Sequence, residues 1–282
     1  MKPDRFKIGI THGALLILSA LFAIPFLWML STALKPDAQV MVNPPQWVPN
    51  PPTWGNFWKA LDFGHDSLGA IPFLIYARNT LLLVVLTVSG VVFSNALVAY
   101  SFARLKWPGR DLLFGITLAT MMIPFPVMMV PQFAMFRSLD WIGTFRPLWV
   151  PAWFAGAFNI FLLRQFFRNI PFELSEAARI DGASEWQIFR DVITPLAKPA
   201  LAVVALFSFM GVWNDFLGPL IYLLDQKQFT LALGLQSLTS QNGGSLWNMQ
   251  MSATVIVIAP VIILFFFTQR LFIQGITLTG IK

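Results

Sequence analysis

Apolar residues along this chain gather into six long runs, at about residues 11–34, 80–102, 112–136, 148–167, 199–224 and 251–273. Each is near the ~20 residues that carry a helix across a bilayer's hydrocarbon core. Between the fourth and fifth runs the pattern changes. Residues 171–196 alternate acids, bases and apolar side chains at helical spacing, with one glycine in the middle. Pro171 suits a first helical turn, where its missing N–H costs nothing. Glu173 and Glu176 follow, where negative charge complements the helix dipole. Leu174, Ala177, Ala178 and Asp181 share a helical face, and Gly182 falls where a left-handed residue ends a helix. Ser184 with Gln187 forms a capping box that starts a second helix. Trp186, Phe189 and Ile193 give that helix an apolar stripe, and Pro195 and Pro199 end it and begin the next run.

The remaining stretches are polar. Residues 35–77 are rich in Pro and Trp, the composition of an ordered cap with extended segments. Residues 236–250 hold the glycine-bearing tip Gln241-Asn242-Gly243-Gly244. No internal repeat and no second soluble domain is apparent, so 1–282 is expected to form one all-α transmembrane domain.

Composition agrees: 56% of residues are hydrophobic, 11% are charged and mean hydropathy is +0.67, whereas a soluble domain carries about 25% charged residues. The chain has no Cys and only His12 and His65, which excludes disulfides, thiolate chemistry and a histidine metal pattern. No metal or cofactor is expected. The net charge of +6 does not gather on one soluble face, so nucleic acid is not expected as a partner. The first run follows Lys2, Arg5 and Lys7, but it is too long for a signal h-region and lacks a small-x-small cleavage site.

The basic residues divide by side. Lys2, Arg5, Lys7, Arg104, Lys106, Arg110, Arg164, Arg168, Arg179, Arg190, Lys198, Arg270 and Lys282 fall on one side of a six-span topology. Lys35, Lys59, Arg78, Arg137, Arg146 and Lys227 fall on the other. The positive-inside rule puts both termini and the 171–196 segment in the cytoplasm. On physical grounds this segment is either a docking surface or an amphipathic elbow covering the end of the spans.

Glu176-Ala177-Ala178, three residues, Gly182, nine residues, Val192, one residue, Thr194 and Pro195 together resemble the EAA motif of binding-protein-dependent ABC importer permeases. Val192 and Thr194 depart from the family's Ile and Leu. The string Glu-Ala-Ala-Arg-Ile-Asp-Gly-Ala-Ser is similar to the MalG-like carbohydrate branch. Further matches run in order: Ser31-Thr-Ala-Leu-Lys-Pro, Asn79-Thr80, Ala99-Tyr-Ser-Phe-Ala-Arg104, Ile160-Phe-Leu-Leu-Arg-Gln-Phe-Phe, Trp213-Asn-Asp215 and the Gln269–Lys282 tail.

The resemblance implies a type I ABC importer permease fold in a bacterial or archaeal cytoplasmic (inner) membrane. Its partners would be a second, MalF-like permease subunit, a dimeric cytoplasmic ATPase subunit and an extracytoplasmic sugar-binding protein. Residues 171–196 would be the coupling segment, with Glu176 as ionic contact, Ala177 and Ala178 as close-packing surface and Gly182 as the turn. Asp181, Trp186, Phe189 and Pro195 complete it. The resemblance implies a transport subunit and not an enzyme; with no G-x-x-x-x-G-K-[ST] loop in the chain, ATP would be handled by another subunit.

Asp215 is the one carboxylate expected inside a span, and an intramembrane acid is a functional candidate. With Trp213 and Asn214 it either lines a sugar path or makes a helix–helix hydrogen bond or an outer-gate contact near the interface. Three prolines in residues 121–131 imply a kinked helix that packs on neighbours or lines a pore. Gln241, Asn242, Gly243 and Gly244 match the position of the family's scoop loop, or form an ordinary polar turn. A secondary transporter would need paired intramembrane charges or inverted repeats; within the ABC class, glycerol phosphate, a polyol or another small solute is the alternative cargo.

Overall fold

The computed structural model describes residues 5–241 and 246–277, and among them every regular element is helical. In chain order these are α1 (Arg5–Ala33), α2 (Asp37–Val40), α3 (Gly55–Asp62), α4 (His65–Leu68), α5 (Pro72–Arg104), α6 (Arg110–Ala119) and α7 (Phe125–Ser138). There follow α8 (Arg146–Trp149), α9 (Ala157–Asn169), α10 (Phe172–Ile180), α11 (Glu185–Gln187), α12 (Thr194–Leu196) and α13 (Lys198–Trp213). The last are α14 (Leu217–Tyr222), α15 (Leu231–Gln241) and α16 (Trp247–Thr277).

Three stretches are unbroken, long and apolar enough to cross a membrane: Ile8–Ala33, Pro72–Arg104 and Trp247–Gln269. Two more candidates are bent pairs. Arg110–Met122 and Phe125–Ser138 meet at 99°, and Glu185–Leu196 and Lys198–Trp213 at 79°. The first bend has a plain cause, since Pro124 sits in extended backbone where Ile123 cannot continue the helix. The fourth apolar run, 148–167, is not one helix: it is split into α8, the 3-10 turn Val150–Phe154 and α9. The fifth, 199–224, is interrupted between Trp213 and Leu217, and the 35–77 region ends at Pro72, where α5 begins.

The chain divides into two units. The first comprises the described residues of 1–74 and 234–262. Its centre is the C-terminal end of α1, whose orphan carbonyls find side-chain and loop donors. Asn56 Nδ2 donates to the carbonyls of Ala33 and Lys35 at 2.9 Å each, Asn248 Nδ2 donates to Lys35 O at 2.9 Å, and Ser252 Oγ to Ala33 O at 3.0 Å. Thr53 N–H meets Leu34 O at 2.8 Å. Lys35 itself is 1% exposed, and its ammonium lies 3.7 Å from the Trp28 ring centroid. Burying the stem and placing the charge on an aromatic face makes that burial tolerable. Gln39 and the backbone of Asn50 bond in both directions, which closes the loop of 35–54 on itself.

The second unit comprises 75–233 and the described residues after 263. Its core joins α5 (Ala96, Ala99, Tyr100, Ala103), α9 (Leu163, Phe167), the π-turn Ile188–Ile193 and α13 (Ala200, Val204). The small residues of α5 let its neighbours approach closely, the usual basis of helix packing in membranes. The same helix explains the split in the fourth run. Ser94 Oγ bridges Ala152 O and Ala155 N–H at 3.2 Å each, and Asn95 Oδ1 accepts from Gly156 N–H at 2.8 Å. Helix interruptions at membrane depth need such substitute partners. Ala155, with φ 60°, occupies a conformation unusual for an L-residue. Beneath the break, Gly90 gives its side-chain space to the Trp153 indole, which donates to Leu86 O at 3.1 Å. At its other end α5 orders the 227–231 turn: Asn79 Nδ2 donates to the carbonyls of Lys227 and Phe229, and Thr80 Oγ1 accepts from Leu231 N–H.

Candidate functional site

The segment marked out by its charge pattern folds as two helical pieces around a left-handed glycine. Helix α10 ends in a Schellman motif: Ala183 N–H bonds Ala178 O at 2.9 Å and Gly182 N–H bonds Arg179 O at 3.0 Å. Gly182 has φ 85°. A Cβ there would meet nothing within 4 Å, so the requirement for glycine is conformational and not one of space. The chain turns directly into the capping box, with Ser184 N–H on Gln187 Oε1 at 2.7 Å and Gln187 N–H on Ser184 Oγ at 3.4 Å.

Beyond α11 the expected stripe changes register. Ile188–Ile193 is a π-turn, whose wider repeat aligns residues five apart. Ile188 and Ile193 therefore enter the core together with Phe189, while Trp186, expected in the same stripe, is 51% exposed. Pro195, also exposed, sits inside short α12.

Two residues one turn apart at the end of α5 grip this segment at both ends. Arg104, 4% exposed, donates through Nη2 to Ile170 O at 2.7 Å, and its guanidinium lies 4.4 Å from the centroid of Phe172, the first residue of α10. Four residues earlier, Tyr100 Oη donates to Glu185 Oε2 at 2.7 Å. The other Glu185 oxygen takes Arg179 Nε, also at 2.7 Å. The Arg179 guanidinium holds the Glu185 carboxyl below the usual carboxylate range; partial burial opposes this and the Tyr100 bond adds to it. Ser175 is fully buried on the underside of α10.

The opposite face of α10 is uncovered. Glu176, Ala177, Asp181 and Gly182 are exposed, Ala178 is half-buried, and Leu174 and Ile180 present bare apolar side chains, Ile180 at 87%. Sequence reasoning did not select Ile180, Tyr100, Arg104 or Glu185 as site residues. The last three act through contacts between distant positions; Ile180 could have been found as the apolar residue three beyond Ala177.

The second candidate group is divided by the structure. Trp213 is buried and stacks on Phe209 at 5.2 Å. Asn214 Nδ2 donates to Met210 O at 2.8 Å, closing the end of α13. Asp215 does not lie within a helix as expected: the chain breaks around it, and its Oδ1 accepts from Gly218 N–H at 3.0 Å. Asp215 lines a cavity of about 450 Å³, with Gln132, Tyr222 and the apolar Phe125, Phe136 and Leu148. A Cβ on Gly218 would stand 2.5 Å from Asp215 Oδ2, so glycine keeps that carboxylate in place. The third group, Asn242, Gly243 and Gly244, lies outside the described residues, and Gln241 is the last residue of α15. Among the described residues no His, Cys, Asp or Glu cluster could hold a metal ion.

The model of one family, described as the binding-protein-dependent transport system inner membrane component, matches residues 95–278. The diacetylchitobiose uptake system permease protein NgcG of Streptomyces coelicolor is 30% identical over 95% of this chain and 86% of its own length. The arabinooligosaccharides transport system permease protein AraQ of Bacillus subtilis is 32% identical over 95% of this chain and 93% of its own length. The sn-glycerol-3-phosphate transport system permease protein UgpE of Yersinia pestis is 31% identical, with 94% of each chain covered. Among solved structures, a chain of a bacterial ABC transporter that imports the acidic polysaccharide alginate superposes with a TM-score of 0.78 at 26% identity, covering 96% of this chain and 98% of its own.

Proposed function

Because the chain belongs to the family of binding-protein-dependent transport system inner membrane components, and is thus an ABC importer permease, we propose that it couples ATP hydrolysis to movement of a sugar or oligosaccharide. It forms half of the path beside a second permease subunit, with a cytoplasmic ATPase dimer below and a sugar-binding protein outside. Six membrane segments, three of them interrupted, leave both termini and α10 in the cytoplasm, where the excess of Lys and Arg favours them.

The observation that carries this reading is α10 itself. Its underside is tied to α5 through Arg104 and Tyr100, while Leu174, Ala177 and Ile180 stand uncovered. A helix held rigidly on one side and apolar on the other can pass a displacement from a docked ATPase into the membrane helices, as in rigid-body switching. Glu176 and Asp181 flank that face and supply ionic contacts. Asp215, at its cavity wall, serves as an acceptor for solute hydroxyls.

Sugar is favoured as cargo by the oligosaccharide relatives, NgcG and AraQ. UgpE, a glycerol-3-phosphate permease at similar identity, supports a small phosphorylated solute as the second reading. The test is reconstitution with the cognate ATPase, partner permease and loaded binding proteins. Ile180→Asp removes an apolar contact worth about 1.5–3 kcal/mol, so stimulated ATP hydrolysis should fall about tenfold or more. Gly182→Val, strained at φ 85°, should do the same, with membrane insertion intact in both. Full stimulation in both variants refutes the docking assignment.

A further inference from the structure

Beside the first turn of α10 lies a basic pocket that coupling does not use. It encloses about 340 Å³ and brings together Arg110, Arg164 and Arg168 with a single acid, Asp111, and the Phe172 ring. Asp111 is already engaged: Arg110 Nε and Nη2 reach its two oxygens at 2.9 and 3.3 Å. Arg164 is 9% exposed, with its guanidinium 3.9 Å from the Phe114 centroid. Among the described residues its one hydrogen bond goes to Phe102 O at 3.3 Å, and its Nη2 stands 4.0 Å from Asp111. Arg168 and Arg110 both lie close enough to repel it. A guanidinium withdrawn from water among like charges, sharing one committed carboxylate, is undercompensated.

A phosphate group suits this deficit, because it brings negative charge and several acceptor oxygens to arginine's planar fork. We propose that this pocket binds a phosphate group, supplied by the headgroup of an anionic phospholipid or by a free phosphate anion. The surroundings favour the lipid. Lys106 and Trp107 line an adjoining hollow that shares Arg110 and Asp111, and Trp107 packs on Phe102 with ring centroids 5.6 Å apart. Basic and aromatic side chains together at the ends of membrane helices match the headgroup region of a bilayer, and basic pockets between such helices take anionic headgroups. The bound group would rest against Phe172, whose ring also carries Arg104, so its occupancy would bear on how firmly α10 is held. Placement in the inner leaflet rests on the topology proposed above; the anion chemistry does not.

The experiment uses the full chain in its assembled complex, in nanodiscs of phosphatidylglycerol or of phosphatidylcholine, with lipid retention read by native mass spectrometry. Wild type should retain phosphatidylglycerol in preference to phosphatidylcholine, and Arg168→Gln should weaken that preference about fivefold. Arg168 is exposed, so this variant is expected to fold; Arg137→Gln, at a basic residue away from the pocket, should change nothing. In the second arm, inorganic phosphate is titrated into the phosphatidylcholine complex. Binding there that Arg168→Gln weakens, without any phosphatidylglycerol preference, assigns the site to a soluble anion. Equal retention of both lipids with no phosphate binding, or an equal effect of Arg168→Gln and Arg137→Gln, overturns the proposal. Neither readout depends on ATPase stimulation, so failure here leaves the coupling reading standing, and the reverse.

Discussion

The Tyr100 hydroxyl donates to Glu185 Oε2 at 2.7 Å across 85 positions of sequence, tying the last turn of α5 to the residue that follows the Ser184 cap. With Arg104 on Ile170 O one helical turn later, this fastens the 170–185 segment to α5 at both ends.

Tyr100→Phe removes that bond while keeping the ring that packs on Phe189. A hydrogen bond to a charged acceptor contributes about 1.5–3 kcal/mol. The variant should therefore keep basal ATP hydrolysis in the reconstituted complex but lose much of the stimulation by loaded binding protein. Arg104→Gln should add to the loss, because it loosens the other end of α10. Stimulation equal to wild type in the double variant would show that α5 does not transmit the movement.

How much of this was legible in the sequence depends on how local the chemistry is. Gly182 and the Ser184–Gln187 box are set by interactions within a few residues, and both fold as their spacing indicates. Trp186 departs from its stripe because the π-turn depends on packing over Ile188 and Ile193, which helical periodicity does not encode. The break at Ala155–Gly156 lies in an apolar run and exists because Ser94 and Asn95, some 60 residues away, satisfy its backbone. Asp215 was readable as a singular acid, but its place in a chain break was not. The polar pair Asn214-Asp215 coincides with the end of α13, but the apolar residues on both sides continue the run, so hydropathy alone reads it as one span.

Glu185 gives the 171–196 segment a pH dependence of defined sign. Its carboxyl titrates below the ordinary value of 4.5, first because of Arg179. The unfolded segment therefore binds the extra proton first, and the contribution of the pair is complete above about pH 4.5. That contribution is lost as pH falls through the lower folded value. Hydrogen exchange of the 179–187 amides should rise in acid for wild type, whereas Glu185→Gln should raise it at neutral pH and flatten the acid dependence.

Asn95 tests the interrupted fourth run. It is fully buried, accepts from Gly156 N–H and donates to Val91 O at 2.7 Å. Asn95→Leu keeps the branched shape and leaves the Gly156 N–H without its partner, at a cost of about 1 kcal/mol. The thermal midpoint of the purified subunit should drop by several degrees, with Asn95→Asp no less harmful, because it sets a buried carboxylate against Val91 O in place of the amide donor. Gly90→Val, which drives a side chain into the Trp153 indole, should be at least as damaging.

Asp215 and Gly218 separate a path residue from a merely structural one. Asp215→Ala removes both the acceptor facing the cavity and the bond to Gly218 N–H. Asp215→Asn keeps an oxygen for that N–H at 3.0 Å but loses the charge. Gly218→Ala retains the acid and displaces it, since its Cβ would stand 2.5 Å from Oδ2. If the carboxylate receives solute hydroxyls, all three should lower solute moved per ATP in proteoliposomes, Asp215→Ala by about tenfold from the ~1–3 kcal/mol of a lost polar contact, while stimulated ATPase stays within about twofold. A purely structural carboxylate gives a different order: Asp215→Asn transports like wild type, and Gly218→Ala lowers transport and thermal stability together.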